Sequence, residues 1–334
     1  MSLMKSNPKI SIIMPMYRVE RYIEKAIQSV LDQDFQDWEL LVVNDGSPDD
    51  SRRIASIVAD TDDRIRILDK ENGGLSDARN YGLDRAIGDF VHFYDSDDWI
   101  EPNFYSILFN EMEDYDLVVC GYKVDNEKSV TERIGYAGDL NNVVVTSLHH
   151  LVETYLNFAW NKLFKRSFLL KNALYYEKGL YRIEDSEFLM RFLSFSPKVK
   201  MIEYSGYHYM VRNTPTLSKF FDENIFNHLN RCIFIRTHIY NYLCDNEENV
   251  NRELGDATLS EVKSAIILIA DSVPFYNIMR SKMLINRILS DVDICKYVSY
   301  CSSTRFRDKL IVNAIVNKRW WFLFLVSQLN NIIK

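Results

Sequence analysis

Three aspartates within four residues are the feature of the chain most able to do chemistry. Asp95, Asp97 and Asp98 follow the apolar run Phe90–Tyr94, which is typical of a buried strand. Carboxylates this close repel one another and stay charged only beside a positive group. Their oxygens suit Mg²⁺ or Mn²⁺, which usually share such ligands with a substrate phosphate. The pattern predicts a metal-diphosphate site beyond a strand end; an acidic turn before the helix that follows Pro102 is the alternative.

Composition limits the classes of protein that need to be considered. The chain has 334 residues, of which 47% are hydrophobic, enough for one large domain and an appendage. Its net charge of -7 argues against nucleic acid as the main partner. The five cysteines form no C-x-x-C pair, so we expect reduced thiols in the cytoplasm rather than a disulfide framework or a zinc site.

Apolar runs alternate with helical patterns over the first hundred residues. The runs at 9–14, 40–43, 65–68 and 90–94 are separated by segments whose apolar residues recur at helical spacing. This alternation predicts βαβ units, a parallel sheet and right-handed crossovers. Ligands of such sheets bind beyond the carboxyl ends of the strands. We therefore expect the site where these runs end, at 15–17, 44–46 and 95–98.

The chain lacks the glycine-rich loops that commonly cradle phosphates. A dinucleotide fold would place G-x-G-x-x-G after the first strand, but residues 14–18 contain no glycine. A P-loop, G-x-x-x-x-G-K-[ST], occurs nowhere in the sequence. We therefore expect aspartates and a metal to hold the diphosphate of any bound nucleotide.

Four segments, in this order along the chain, resemble motifs of the inverting family 2 glycosyltransferases of bacterial surface-polysaccharide synthesis. They are Ser11–Tyr17, Val42–Ser47, Asn72–Asn80 and Asp95–Asp98. The resemblance implies a GT-A fold, which has a Rossmann-like, mostly parallel central sheet with helices on both faces. We expect this domain over residues 9–215, after a tag or disordered N-terminus at 1–8.

The resemblance assigns the nucleotide base to residues near the first two strand ends. Asp45 would accept the N3–H of the uracil in a UDP-sugar, unless it is a turn residue before Gly46. Pro15 and Tyr17 would shape the pocket for the base and ribose, and Tyr17 could stack on a ring.

The sugar and diphosphate would lie between the third helix and the aspartates. The resemblance implies that Asp77 and Arg79 face them, although an ion pair on the helix surface is the alternative. Asp95 would reach ribose or sugar hydroxyls and the metal, and Asp97 would bind the Mn²⁺ or Mg²⁺ that bridges both phosphates. Asp98 either assists them or caps the next helix.

A catalytic base is expected at the start of a later helix. Glu184 and Asp185 open a predicted helix, where acidic residues also complement the helix dipole. The resemblance implies a Glu-Asp motif whose aspartate is the base. Because inversion needs a base opposite the leaving group, we assign Asp185 this role, with Glu184 as the alternative.

Two further segments offer candidate site residues. Trp160 could stack on an acceptor sugar and Lys162 could reach a phosphate, or they could be a core tryptophan and a solvated lysine. His208 and Arg212 lie where related enzymes carry residues near the diphosphate. Arg212 could neutralise phosphate charge and His208 could bind the metal.

Residues 216–334 are expected to form a helical C-terminal domain. Five basic residues and one aspartate between Arg305 and Arg319 precede the aromatic segment Trp320–Val326. Such a segment suits an anionic lipid surface, and the alternative is a helix docked in the core. This domain could also cover the acceptor side or form a homodimer.

Together these features predict a cytoplasmic hexosyltransferase, peripheral at the inner face of the membrane. It would be metal-dependent and would move a sugar from a UDP donor to a glycan or lipid-linked hydroxyl acceptor, in cell-surface polysaccharide synthesis. One alternative is a sugar nucleotidyltransferase, which usually carries a glycine-rich loop after the first strand. The other is a non-catalytic nucleotide- or glycan-binding module, although Asp97 and Asp185 are both retained.

Overall fold

The computed structural model of the chain describes residues 7–126, 129–143, 145, 147–180, 183–212, 225–272 and 278–333. The chain divides into two compact units. The first comprises Met1–Val144 and Val152–Thr214, and the second Val145–Leu151 and Pro215–Lys334. Residues 1–6 and the predicted boundary at residues 215 and 216 lie outside the described residues, so the predicted domain bounds stay a prediction.

The first unit begins with alternating strands and helices and continues with shorter elements. Its strands are β1 (Ile10–Met16), β2 (Trp38–Asp45), β3 (Ile65–Lys70), β4 (Phe90–Phe93), β5 (Trp99–Ile100), β6 (Leu117–Cys120), β7 (Tyr122–Asn126), β8 (Ser129–Arg133), β9 (Gly138–Asp139), β10 (Lys162–Lys165), β11 (Val199–Ile202) and β12 (Tyr207–Met210). Its α-helices are α1 (Ile23–Leu31), α2 (Ser51–Ala59), α3 (Leu75–Leu83), α4 (Phe104–Asn110), α6 (Arg166–Lys171) and α7 (Glu184–Leu193), while α5 (Leu148–Leu151) belongs to the second unit. A 3₁₀ turn at Leu140–Asn142 and a π-helical turn at Val152–Leu156 complete the first unit.

Two sheets form the frame of the first unit. The larger has the strand order β3-β2-β1-β4-β10-β6-β11-β9, and the smaller has the order β5-β12-β7-β8. Strands β1 to β4 pair in parallel, as does β6 with β11, whereas β10 is antiparallel to both of its neighbours. The prediction of a mostly parallel central sheet is confirmed.

Helices cover both faces of the central strand β1. Ile12 belongs to the same buried cluster as Ile23 and Ile27 of α1. The neighbouring Ile13 faces the opposite way, because successive strand residues alternate between faces. A Cβ added to Gly82 of α3 would lie 2.4 Å from the Cγ2 of Ile13, so α3 packs closely on that second face.

The strand register brings the predicted functional segments together. Met16 pairs with Asn44, and Asn44 pairs with Asp69, so β1, β2 and β3 end side by side. Ile13 pairs with Phe93 at the end of β4. The smaller sheet then returns to this edge, because His208 of β12 pairs with Trp99 of β5, directly after the three aspartates.

The second unit is helical, as predicted. It contains α5 and the helices α8 (Ile225–Leu243), α9 (Glu247–Ser272), α10 (Ile278–Ser290), α11 (Val292–Ser299), α12 (Phe306–Val316) and α13 (Trp320–Ile333). Leu323 and Phe324 of α13 are buried in its core, whereas Trp321 and Leu325 are about half exposed. None of the helices in the described part of the chain combines the length and the apolarity needed to cross a membrane.

Candidate active site

The turn before α3 is tied to the end of β2 by Asp45. The backbone N–H groups of Gly73 and Gly74 donate to its carboxylate at 2.9 and 2.8 Å, and Lys70 forms an ion pair with it. Gly74 has a φ of +86°, which L side chains rarely adopt. These contacts fix the point at which α3 begins and therefore the direction of its first side chains.

Arg79 of α3 joins two acidic residues that lie far apart in the sequence. Its side chain is 1% exposed, and its Nη1 donates to Oδ1 of Asp185 at 2.6 Å while Nη2 donates to Oδ1 of Asp95 at 3.1 Å. Burial raises the pKa of Asp95, and the Arg79 guanidinium opposes that shift. One buried cation thus brings the end of β4 and the start of α7 into a single site.

Asp185 is held at both of its carboxylate oxygens. Oδ1 accepts from Arg79, and Oδ2 accepts from the backbone N–H of Ala159 at 3.1 Å. The side chain remains 17% exposed. Because charge-assisted hydrogen bonds are directional, the two contacts orient the carboxylate while leaving it within reach of a ligand.

Lys162 holds the segment whose Ala159 N–H donates to Asp185. Its ammonium is buried and donates to the carbonyl oxygens of Tyr155 and Phe158 at 3.0 and 2.5 Å, and to the Asn161 side-chain oxygen at 2.7 Å. Burial lowers the pKa of Lys162 to about 7. The structure therefore gives Lys162 an internal positioning role, instead of the contact with phosphate considered from the sequence.

The three aspartates after β4 form a compact set of oxygen donors. Asp95, Asp97 and Asp98 each offer a carboxylate oxygen, and these atoms lie within 4.8 Å of one another. Hard oxygen donors at this separation fit Mg²⁺ or Mn²⁺. Arg212 forms an ion pair with Asp97, which places a positive group next to the cluster.

Asp98 differs from its two neighbours because its carboxylate is committed to the fold. It is 2% exposed, and its two oxygens accept from the hydroxyl of Tyr207 and the N–H of Met210, both at 2.8 Å. Burial and the nearby Asp95 raise the pKa of Asp98 well above its ordinary value. Asp98 therefore fastens β12 to the aspartate segment and does not cap a helix.

His208 lies near the site, but its ring nitrogens face other groups. Nε2 is 3.4 Å from Glu101 and Nδ1 is 3.3 Å from Asp125, while the ring stacks on Trp99. Burial lowers the pKa of His208. His208 is absent from the described group of side chains that could share one ion with Asp97, so its metal-binding role stays a prediction.

Asp77 forms ion pairs with two lysines at the edge of the site. Lys70 lies 2.7 Å from one carboxylate oxygen, and Lys178 contacts the other. Lys178 and Lys70 lower the pKa of Asp77. Lys70 also contacts Asp45, so it connects two residues that the sequence assigned separately to the base and the diphosphate.

An open cavity of about 490 Å³ follows the end of β1. It is lined by Arg18, Glu20, Arg21, Tyr22, Pro48, Asp49 and Arg212. Tyr17 is 42% exposed beside this cavity, with the Arg18 guanidinium 5.3 Å from its ring centre, whereas Pro15 is buried within β1. Arg18 and Arg21 were missed in the sequence because no spacing connects them to Arg212, which is about 190 residues away.

Trp160 is buried in a stack of aromatic rings. It is 3% exposed, and its ring lies 4.7 Å from Phe158, 4.4 Å from Tyr207 and 5.7 Å from Tyr209 between ring centres. A ring enclosed in this way offers no face to a sugar. Of the two roles considered for Trp160, the structure supports the core tryptophan.

Glu184 lies beside Asp185 and within the electrostatic reach of Arg79 and Asp95. Its Oε2 is buried without a hydrogen-bond partner among the described residues. Burial and the charge of Asp185 raise the pKa of Glu184 from its ordinary value of 4.5 to about 7. The two neighbouring acids therefore differ: Asp185 receives two hydrogen bonds, whereas Glu184 has a buried, unpartnered oxygen and a raised pKa.

Part of the first unit is similar to known glycosyltransferases. Residues 11–171 match the family described as Glycosyl transferase family 2. The chain is 35% identical over 209 residues to the uncharacterised glycosyltransferase EpsJ of Bacillus subtilis, covering 60% of this chain and 61% of EpsJ. It is 28% identical over 223 residues to the minor teichoic acid biosynthesis protein GgaB of B. subtilis, covering 62% of this chain and 23% of GgaB. The matched region is less than two thirds of either relative.

The fold is also found in a solved structure. S. aureus TarS residues 1–349, crystallised in complex with UDP-GlcNAc, superpose with a TM-score of 0.69 at 20% identity, covering 96% of this chain and 92% of that one. At this identity the likeness is one of fold. The predicted GT-A-like fold is confirmed.

The different roles of Asp97 and Asp98 predict different effects on stability. Asp98→Ala would leave the Tyr207 hydroxyl and the Met210 N–H buried without an acceptor, and we expect the free energy of unfolding to fall by about 3 kcal/mol. Asp97→Ala, a matched change at a side chain that is 23% exposed, should cost much less. Urea denaturation followed by circular dichroism measures both; equal losses would contradict the assignment of Asp98 to the fold.

The raised pKa of Glu184 predicts a pH-dependent stability. Between about pH 4.5 and 7 the folded state binds more protons at Glu184 than the unfolded state, so this group's contribution falls as pH rises through that window. Glu184→Gln removes the titration. We expect the variant to gain stability relative to the natural protein between pH 5 and pH 8, as measured by urea denaturation; a constant difference would show that Glu184 titrates normally.

Proposed function

We propose that the chain moves a sugar from a UDP-sugar to a hydroxyl acceptor with inversion at the sugar carbon, a proposal that the match of residues 11–171 to Glycosyl transferase family 2 supports. The observation that carries this proposal is the position of Arg79 between Asp95 and Asp185. Arg79 connects the aspartates after β4, which suit a metal ion, with the oriented carboxylate of Asp185 on α7. Such a reaction needs both parts on opposite sides of one sugar.

In this proposal Asp95 and Asp97 hold a Mg²⁺ or Mn²⁺ ion. The ion would stabilise the negative charge that develops on the departing diphosphate. Arg212 supports this arrangement, since it pairs with Asp97 and its planar guanidinium suits phosphate oxygens. Arg18 and Arg21 line the same cavity as Arg212 and add positive charge near the diphosphate.

Asp185 acts as the general base in this proposal. Its carboxylate would take the proton of the acceptor hydroxyl as the new glycosidic bond forms. Arg79 and Ala159 support the role because they fix the direction of both oxygens. Glu184 is the alternative base, but its buried Oε2 lacks the hydrogen bonds that orient Asp185.

The donor is proposed to carry uracil, with Pro15, Tyr17 and Asp45 around the base. A carboxylate has about four acceptor positions, and three contacts to Asp45 are already made by Gly73, Gly74 and Lys70. One position thus remains for the N3–H of uracil. The complex of S. aureus TarS with UDP-GlcNAc further supports the proposal of a UDP-sugar donor.

The acceptor is proposed to be a glycan or lipid-linked hydroxyl in cell-surface polysaccharide synthesis. The role of GgaB in minor teichoic acid biosynthesis supports this class of acceptor. A cytoplasmic location at the inner face of the membrane is also part of the proposal. A homodimer stays a prediction.

The metal assignment predicts that Asp97→Ala loses metal-dependent binding of UDP. In isothermal titration calorimetry, Mn²⁺ should tighten UDP binding to the natural protein but not to the variant, because one of the two proposed ligands is gone. Asp63→Ala, which removes an exposed aspartate in the turn between α2 and β3, is the matched control. If Mn²⁺ tightened UDP binding to Asp97→Ala as strongly as to the natural protein, Asp97 would not be a ligand.

The base assignment predicts that Asp185→Asn keeps donor binding and loses transfer. Thermal-shift screening with UDP-, GDP-, CMP- and dTDP-sugars first identifies the donor, and release of its nucleotide then measures turnover. We expect turnover to fall roughly 10²- to 10⁴-fold, the range for loss of a general base. Glu184→Gln is the isosteric control and should keep most of the turnover. If Glu184→Gln instead showed the loss expected for Asp185→Asn, and Asp185→Asn lost little, Glu184 would be the base.

A further inference from the structure

The turn that follows β1 is held by the loop between β2 and α2. Three successive backbone N–H groups of the turn donate to side-chain oxygens of that loop, which lies about 30 residues further along the chain. The bonds run from Arg18 to the Ser47 hydroxyl at 2.8 Å, from Val19 to the Ser51 hydroxyl at 2.9 Å, and from Glu20 to the Asp49 carboxylate at 3.2 Å. The conformation of the turn therefore depends on three side chains from another segment.

Asp49 connects all three acceptors. Its Oδ1 accepts from the hydroxyls of Ser47 and Ser51 at 2.5 and 2.6 Å, and its Oδ2 accepts from the N–H of Glu20. A hydroxyl has one proton to donate, so donation to Asp49 leaves the lone pairs of both serines for the turn. Burial raises the pKa of Asp49, but hydrogen bonds from Ser47 and Ser51 outweigh it and lower that pKa, so the carboxylate stays charged. One carboxylate thus directs the set formed by Ser47, Asp49 and Ser51, here called the Asp49 network.

The turn needs this support because Arg18 has a left-handed backbone. Its φ is +56°, in a region that residues other than glycine and asparagine rarely adopt. Residues strained in this way persist where neighbouring contacts determine their conformation, and they concentrate at binding sites. The hydrogen bond from the Arg18 N–H to Ser47 is such a contact. Without the Asp49 network we expect the turn to relax toward an ordinary backbone.

The turn carries two side chains that the proposed function places near the donor. Tyr17 and Arg18 are both exposed, and the Arg18 guanidinium lies 5.3 Å from the centre of the Tyr17 ring. Met16, which precedes them, pairs with Asn44, so Tyr17 leaves β1 at the level where β2 ends in Asp45. The backbone of the turn therefore determines how Tyr17 and Arg18 face a bound nucleotide.

The acidic side chains that line the cavity after β1 are occupied by these two segments, whereas two of its arginines are not. Asp49 belongs to the network, and Oε2 of Glu20 accepts from the N–H of Asp50 at 3.1 Å. In the part of the chain that the structure describes, Arg18 and Arg21 form no ion pair with a carboxylate. Their guanidinium groups remain available for phosphate oxygens.

We propose that Asp49 is a positioning residue for the nucleotide, acting through the turn after β1. By fixing the N–H groups of residues 18–20, it holds Tyr17 toward the base or ribose and Arg18 toward the diphosphate before the donor arrives. A preorganised turn gives tighter binding because less conformational freedom is lost when the ligand binds. This inference rests on the proposed UDP-sugar donor and assigns part of its affinity to a side chain that sets the backbone.

Isothermal titration of UDP in the presence of Mn²⁺ tests this role with Asp49→Asn. By charge alone, the loss of a carboxylate from a cavity with three arginines should tighten the binding of an anion. Loss of the network should instead weaken UDP binding roughly tenfold, because supporting hydrogen bonds are lost. Asp50→Asn removes the same charge from a carboxylate that pairs with Arg53 at the surface, and it should have no such effect. Unchanged or tighter binding by Asp49→Asn, or an equal loss in Asp50→Asn, would overturn the proposal.

Ser51→Ala distinguishes positioning from direct contact with the nucleotide. Ser51 is 0% exposed, so a ligand does not reach its hydroxyl, which is the acceptor of the Val19 N–H. We expect weaker UDP binding in this variant too, with turnover at saturating donor nearly unchanged, as is typical when uniform binding is lost. Weaker binding in Asp49→Asn alone would mean that Asp49 contacts the nucleotide itself, and the positioning role would be wrong. Ser51→Ala is a small change, so it carries the test if Asp49→Asn does not fold.

A double variant tests the connection to the left-handed residue. Asparagine adopts positive φ more readily than arginine, so the turn of Arg18→Asn should depend less on the Asp49 network. Asp49→Asn should therefore weaken UDP binding about threefold in the Arg18→Asn background, compared with about tenfold in the natural background. Equal losses in the two backgrounds would contradict a role that acts through the backbone.

The donor proposal and this inference fail in different ways. If the natural protein binds UDP with Mn²⁺, and Asp49→Asn and Ser51→Ala bind it equally well, this inference alone is wrong. If the natural protein binds no UDP, the donor proposal is wrong and this inference is wrong with it.

Discussion

A single buried guanidinium holds the site together. Arg79 has almost no exposure to solvent and satisfies its charge through Asp95 and Asp185, which come from a strand end and a helix start. An unpaired buried charge is costly, so these three groups stabilise one another and none can be changed alone without consequence. The turn at Gly73 and Gly74, which the Asp45 carboxylate holds, determines where α3 begins and therefore where the Arg79 guanidinium lies.

Support for Asp185 extends outward through the backbone. Lys162 binds the carbonyl oxygens of Tyr155 and Phe158, and this fixes the turn whose Ala159 N–H reaches Asp185. A lysine with no contact to the carboxylate therefore influences its direction. Preorganised donors of this kind cost no rearrangement at the moment of reaction, which is why such indirect supports matter in enzymes.

The sequence predicted the elements better than their contacts. Alternating apolar runs were enough for the parallel sheet, and polar residues at strand ends located Asp45 and Asp95, because strand direction places those ends at one edge. Periodicity could not separate Asp98 from Asp97, since the difference depends on Tyr207 and Met210, more than 100 residues away. The burial of Trp160 was equally hidden, because a short aromatic segment has the same pattern in a core or beside a ligand.

The commitment of Asp98 to β12 has a consequence for the order of binding. If Asp95 and Asp97 are the main ligands, as proposed, and Asp98 serves the fold, the rest of the ion's coordination shell would come largely from water and phosphate oxygens. Ion and nucleotide would then raise each other's affinity by the same factor, as thermodynamic reciprocity requires. The protein alone would hold the ion weakly, and saturation by nucleotide would track the ion concentration of its surroundings.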